Sequence, residues 1–406
     1  MQNSDQQNKA TPSIGRDRNS PGRYLNDFLP TACDTAWINA NIVTMCDDGS
    51  CRPGNALRTL MQSNGRIVFI GEQDDLQFFT PRTVIDCEGR FVLPGLIDCH
   101  THLAHGRSDY QENASRPDGC SCAGLKQSGH AVHATTCTGA SDTLIEGALS
   151  RVDALIAEGV TTIEMKSGDG LDFDSEIKQL ECAHQLGQMR DVRIKSTYLS
   201  QHTMPQDARH DPHGYVQFLI NDMLPYIKAH QIADYIDALR EKMAFEKGQI
   251  SRFPKAARYG ALSARHIEHT DEEGVLSMRN AGTIAVLLPA AFSCLNDAKK
   301  PPIGLLREHN VPIALGSDCN PGTSPCNSLM TAMKMGATLF GLEVQECVRG
   351  VTINAARALG IDDQVGSLQP GKICDLAIFD VESLEELVLS HGRRQVHSRV
   401  LAGRVV

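Results

Sequence analysis

Two histidines one residue apart, His100 and His102 in LPGLIDCHTHLAHGR (93–107), and an aspartate closing VPIALGSD (311–318) are residue types that together can hold a divalent metal. The aliphatic run from Phe91 to Ile97 ahead of the histidines reads as one short core strand. Alternate residues of a strand share a face, so the imidazoles of His100 and His102 point the same way at its end. Asp318 closes a second apolar strand and opens a polar Asp-Cys-Asn-Pro-Gly turn. Two imidazoles and a carboxylate make an open site for Zn²⁺ or Fe²⁺, one ion per chain, with a position left for water. A metal held in this way lowers the pKa of its water and supplies hydroxide near neutrality. Asp318 is placed to keep the proton of that nucleophile. A His-X-His pair alone is a weak signal, because strand-end histidines often only satisfy local hydrogen bonds. The strand-end aspartate and the preceding PGLID strengthen it.

Side chains this far apart in sequence meet only if the elements carrying them are neighbours. From about residue 90 the chain alternates strands and helices. LIEGALSRVDALIAEG (144–159) sets Ile145, Leu149, Val152, Leu155 and Ile156 on one helical face, and the strand VTTIEM follows Gly159. VRIKSTYL (192–199), TIAVLLPA (283–290) and VPIALGSD read as further buried strands, with helices over 327–341 and 352–360. Repeated βα alternation over this length predicts a closed TIM-like (β/α)8 barrel, with chemistry where its strands end. The two ends read differently. AWINANIVTM, GRIVFIGE, GSLQPGKICDLAIFD and SRVLAGRVV are short strands with turn chemistry, which predict a small β-sandwich formed from both termini. The expected division is a disordered leader over 1–30, sandwich over 31–92, barrel over 93–365 and sandwich again over 366–406.

Composition narrows the classes. A net charge of −10 with no basic block argues against a nucleic-acid partner. The polar first residues lack a signal-peptide core, and no apolar run approaches a membrane span of ~18 residues. The 14 cysteines are scattered, as free thiols of a reducing cytoplasm would be. Cys120, Cys122, His130, His133 and Cys137 follow no zinc spacing and read as a surface loop.

PGLIDCHTHL resembles the opening signature of the amidohydrolase superfamily of metal-dependent hydrolases, and GSLQPGKICDLAIFD with VLAGRVV resembles its terminal sandwich strands. Within it, EGVTTIEMKSGDGLD, HTMP, ALSARHIEH, TIAVLLPAAF and SDCNPGTSP are similar to the imidazolonepropionase family, from about Cys87 to the end of the chain. The resemblance implies that metal-bound hydroxide opens the cyclic amide of 4-imidazolone-5-propanoate to N-formimidoyl-L-glutamate, a step of histidine degradation. It implies His100, His102 and Asp318 as metal ligands, His266 as the catalytic histidine that polarises the scissile carbonyl, and Asp318 as proton carrier. It further implies His202, Asn320, Gly322 and Thr323 as substrate contacts, and Arg107 as the partner of the propionate, although its spacing from His102 is two residues short. Lys166 is not a ligand in this pattern, so one metal is expected rather than two. The expected partner is a small-molecule substrate, with no nucleic acid and no membrane; a homodimer is compatible with the family.

Three departures qualify the match. Asp169 stands where the family has tyrosine, and a carboxylate there would repel an anionic substrate. The loop over 124–138 has no recognisable family pattern. Between EKMAF (241–245) and ALSARH (261–266) about one βα unit is missing, and with it the strand that supplies a third metal histidine. His230 and His269 are the nearest substitutes, and neither sits at the equivalent place. A barrel short of one strand cannot close with the usual hydrogen bonding. Alternative readings are an amidohydrolase or deaminase acting on another cyclic amide or heterocycle, and a catalytically impaired homologue with a binding role.

Overall fold

The computed structural model describes residues 31–47, 57–105, 141–168, 172–200, 211–238, 260–390 and 392–406. Its first six strands are β1 (Thr31–Ile38), β2 (Asn41–Ile42), β3 (Thr59–Ser63), β4 (Arg66–Gly71), β5 (Phe79–Asp86) and β6 (Phe91–Pro94). Seven parallel strands follow: β7 (Leu96–Thr101), β8 (Val160–Lys166), β9 (Arg193–Ser200), β10 (Tyr235–Ala238), β11 (Ser263–Ala264), β12 (Ile284–Leu287) and β13 (Ile313–Leu315). The chain ends in β14 (Leu376–Phe379), β15 (Val396–Leu401) and β16 (Arg404–Val405).

The terminal strands form two sheets, ordered β4-β3-β1-β5 and β16-β15-β14-β6-β2. The second mixes strands from both ends of the chain. Trp37, Leu60 and Ile67 of the first sheet share a buried cluster with Val92, Leu376, Ile378 and Val400 of the second. Apolar side chains from two inner faces therefore make one sandwich core.

The run read from sequence as a single strand, Phe91 to Ile97, is two strands that part at Gly95. β6 joins the sandwich through β14 and β2, whereas β7 pairs with β8. The change of sheet thus falls at Gly95 rather than between residues 92 and 93. A Cβ at Gly95 would lie 2.2 Å from Thr161 Oγ1 and 2.4 Å from Thr161 Cγ2, so only glycine lets the chain cross β8 this closely. Residue periodicity gave no sign of the break, because both strands are buried throughout.

The parallel strands make two ladders, β10-β9-β8-β7 and β11-β12-β13. They are joined past the end of β13, where Thr101 bridges Cys319 in parallel and the His102 amide donates to Cys319 O at 2.9 Å. The order is therefore β10-β9-β8-β7-β13-β12-β11, and helices Ser141–Ile156, Phe173–Met189, Leu329–Phe340 and Val344–Gly350 cover the outside. Ile145, Val152 and Leu155 of the predicted stripe are buried with Leu144 and Ala148 in a cluster that includes Ile163, Met165 and Leu186, whereas Leu149 and Ile156 are only partly buried, so the helix is turned slightly from the predicted face.

Among the described residues no ladder joins β10 to β11, the seam at which the sequence lacks a βα unit. Ile236 on the outer face of β10 is 61% exposed and Leu262, just before β11, is 47% exposed. Strands of a parallel barrel normally bury that face under a helix, and among the described residues no helix covers it here. No helix among the described residues is long and apolar enough to cross a membrane.

Candidate metal centre

His100 and His102 leave the end of β7 on one face, as their spacing requires, and Asp318 comes three residues after β13. His100 Nε2 lies 3.3 Å and His102 Nε2 3.8 Å from Asp318 Oδ1. All three side chains are buried, and one ligand atom of each lies within 4.8 Å of the others. Ligands bound at ~2.1 Å in tetrahedral geometry stand about 3.4 Å apart, so this spacing suits a shared ion. Burial, then the charges of Lys166 and Arg265, hold the His100 imidazole well below its usual pKa. It is therefore neutral and offers a lone pair. The donor set fits a Zn²⁺- or Fe²⁺-type ion with open positions.

Backbone and buried carboxylates fix these ligands. The Asp318 amide donates to His100 O at 2.9 Å, which ties the first and last strands at the ligands themselves. Asp318 has φ +52°, a left-handed conformation costing on the order of 1 kcal/mol that the surrounding bonds must outweigh. Gly316 permits the approach: a Cβ there would sit 2.8 Å from His100 Cβ.

Asp98, fully buried below His100, accepts from the Ser317 amide at 3.1 Å and the His100 amide at 3.4 Å. Burial pushes its pKa up to about 7 against those hydrogen bonds. Sequence reading missed Asp98, although the alternation Asp98, His100, His102 carried the signal. It also missed Arg151, whose guanidinium bonds Leu103 O at 2.8 Å and His105 O at 3.1 Å and holds the chain leaving the histidines.

Lys166 ends β8 inside the barrel. Its ammonium pairs with Glu164 Oε1 and, at 3.0 Å, with Asp237 Oδ2 of β10. A carboxylated lysine would bring a third negative charge against those two, so the surroundings of this side chain suit an ammonium. Arg265, just past β11, also pairs with Asp237.

His266 is half-buried, has φ +52°, and is close enough to His100 to act on its charge. The loop after Asp318 is organised by Asn320. Its Oδ1 accepts from the Thr323 amide at 2.7 Å, the Gly322 amide at 3.0 Å and the Ser324 amide at 3.2 Å, while Nδ2 donates to Asp318 O at 2.6 Å. Its carboxamide is thus engaged in shaping the loop that presents Gly322 and Thr323. His230 is exposed at a helix end, stacked on Tyr226, and His269 is exposed; among the described residues only His100, His102 and Asp318 form a metal-type cluster. Arg107, His202, Asp169, the cysteine-rich stretch over 120–137 and the shortened segment before Gly260 lie outside the described residues.

Comparison with known proteins agrees with this geometry. The amidohydrolase family profile matches residues 91–406. An imidazolonepropionase of Methylobacterium nodulans is 42% identical over 402 residues, covering 92% of this chain and 100% of that protein. One from Rhizorhabdus wittichii is 41% identical over 398 residues, covering 91% and 99%. Among solved structures, an adenosine deaminase from Xanthomonas campestris with bound zinc superposes with a TM-score of 0.66 at 18% identity, covering 93% of each chain. Atrazine chlorohydrolase from Arthrobacter aurescens, complexed with zinc, gives 0.66 at 17% identity over 91% of this chain and 94% of that one. At these identities the structural likeness speaks for the fold.

Proposed function

Since the chain belongs to the amidohydrolase family, and within it to the imidazolonepropionases, we propose that it hydrolyses 4-imidazolone-5-propanoate to N-formimidoyl-L-glutamate. The observation that carries the reading is the buried His100–His102–Asp318 triad in a chain more than 40% identical to imidazolonepropionases along nearly its whole length. The site would hold one Zn²⁺ or Fe²⁺ through those three side chains, and such an ion supplies Lewis acidity and a water of lowered pKa.

The chain's own residues would do the rest. Asp318 Oδ takes the proton of the attacking water and returns it to the ring nitrogen as the carbonyl C–N bond breaks. The water oxygen becomes part of the new carboxyl group, one water proton neutralises the departing amide nitrogen, and the other leaves to solvent as the carboxyl ionises. His266 directs a ring N–H at the carbonyl oxygen, where negative charge develops. Arg107 grips the propionate with a guanidinium fork, and His202 with the Thr323 loop borders the ring.

On this reading residues 93–365 form the catalytic body and the terminal segments a supporting sandwich. The partner is a small molecule, the enzyme works in the cytoplasm, and the assembly it would form is a homodimer. The free thiols of buried Cys33, Cys87, Cys99, Cys182, Cys347 and Cys374 support a reducing compartment. The test is ring opening by the metal-loaded full chain, followed by loss of imidazolone absorbance and identification of formimidoyl-glutamate. Turnover of another cyclic amide or heterocycle, with none of this substrate, would replace the assignment.

A further inference from the structure

Among the described residues no strand pairing links β10 to β11. β11 is two residues long and, among those residues, pairs with β12 through Ser263 with Ile284 and Ala264 with Ala285. On its other side the contact with β10 is made by side chains. Asp237 alternates with the exposed Ile236 and turns inward, where Arg265 Nη1 and Lys166 Nζ donate to the same oxygen, Oδ2. The chain of charges runs from β8 to β10 to the end of β11 across the interior. Glu164 and Asp237 balance Lys166 and Arg265.

The Lys166 side chain is 6%, that of Arg265 11% and that of Asp237 26% exposed, so water and salt screen this cluster poorly. His266 is the next residue after Arg265. Its left-handed backbone leaves few alternative conformations, so the path of its side chain depends on where Arg265 is anchored.

We propose that Arg265 is a positioning residue: its ion pair with Asp237 clasps β10 to the end of β11, where the described residues form no backbone ladder, and thereby fixes His266 at the site. The catalytic part of this proposal takes the role of His266 from the function proposed above; the clasp itself does not.

The test uses the full chain with ¹⁵N-labelled histidine, the His266 ring signal being identified by its loss in His266→Ala. Arg265→Met and Asp237→Asn should each shift or split that signal, and the double variant should do no more than either alone. The ring signals of His102 and of the remote His309 should hold, and Arg265→Lys should restore most of the native His266 signal. With Zn²⁺ loaded, Arg265→Met should lower kcat at least ten-fold with KM within about two-fold. In a His266→Ala background it should have no further effect on kcat. A His266 signal unmoved in both single variants, a general shift of all histidines, or additive single effects would overturn the clasp. If Arg265→Met does not fold, Arg265→Lys and Asp237→Asn decide by the same signal. If the native chain opens no imidazolone ring, the function assigned above falls, while the histidine spectra still decide the clasp.

Discussion

His100, on the first of the parallel strands, and Asp318, three residues past the last, are joined twice: Nε2 to Oδ1 at 3.3 Å, and backbone N–H of Asp318 to His100 O at 2.9 Å. The pairing that orders the sheet is the pairing that sets the ligand spacing. Purified protein should carry at most about one Zn²⁺ or Fe²⁺ per chain, and His100→Ala or His102→Ala should abolish it in metal analysis. Two tightly bound ions would overturn the single-metal reading and the assignment of Lys166 as a cation.

Asp98 holds both sides of that junction through one oxygen. Asp98→Ala would strip the Ser317 and His100 amides of their acceptor in a buried place, at about 1–3 kcal/mol for each unsatisfied group. The thermal midpoint should fall by several degrees and metal affinity with it. Asp98→Asn, which keeps an oxygen there, should lose less than half as much; equal losses would mean the bonds to the amides are not what matters.

Arg107 should act on substrate binding and not on the ion. Arg107→Ala is expected to raise KM for imidazolonepropanoate by ~10–10²-fold with metal content unchanged. An unaltered KM would put the carboxylate elsewhere.

Acid should weaken the join between sandwich and barrel. Burial pushes the Asp47 pKa up, but hydrogen bonds and charge from Arg357 and Arg349 outweigh it and hold the carboxyl below its ordinary 3.8. A group whose pKa is depressed on folding contributes its stabilisation fully above the unfolded value and loses it as pH falls through the folded one. Denaturant midpoints at pH 7 and pH 3 should therefore differ less in Asp47→Asn than in the native chain. Because Asp47 is largely exposed, the difference should be small and should shrink in high salt.

The absence of a histidine between residues 245 and 261 should leave the ion weakly held. Three ligands where the family has four predict metal loss on dialysis and low turnover that depends on added metal. Inserting a family-like strand with its histidine between Tyr259 and Ala261 should raise metal retention and thermal stability together. A native chain that keeps metal through dialysis and turns over at ~1–10³ s⁻¹ would show that another residue fills the position.

Much of this protein is written locally. Spacing by two put His100 and His102 on one face, and aliphatic runs marked β8, β9, β12 and β13. These signals survive in sequence because strand alternation, helical stripes and motif spacing are short-range properties of the chain.

What sequence did not reveal depends on residues that meet only after the sheet curves. The break at Gly95 is decided by Thr161 pressing on it. Asp98 acquires its role from Ser317, and Arg265 from Asp237, neither partner being adjacent in sequence. The residue types alone therefore determined that a metal-type cluster at strand ends was available. Tertiary structure decided which carboxylate holds its ligands and which ties β10 to the end of β11, because a buried charge takes its meaning from the few groups within ~4 Å of it.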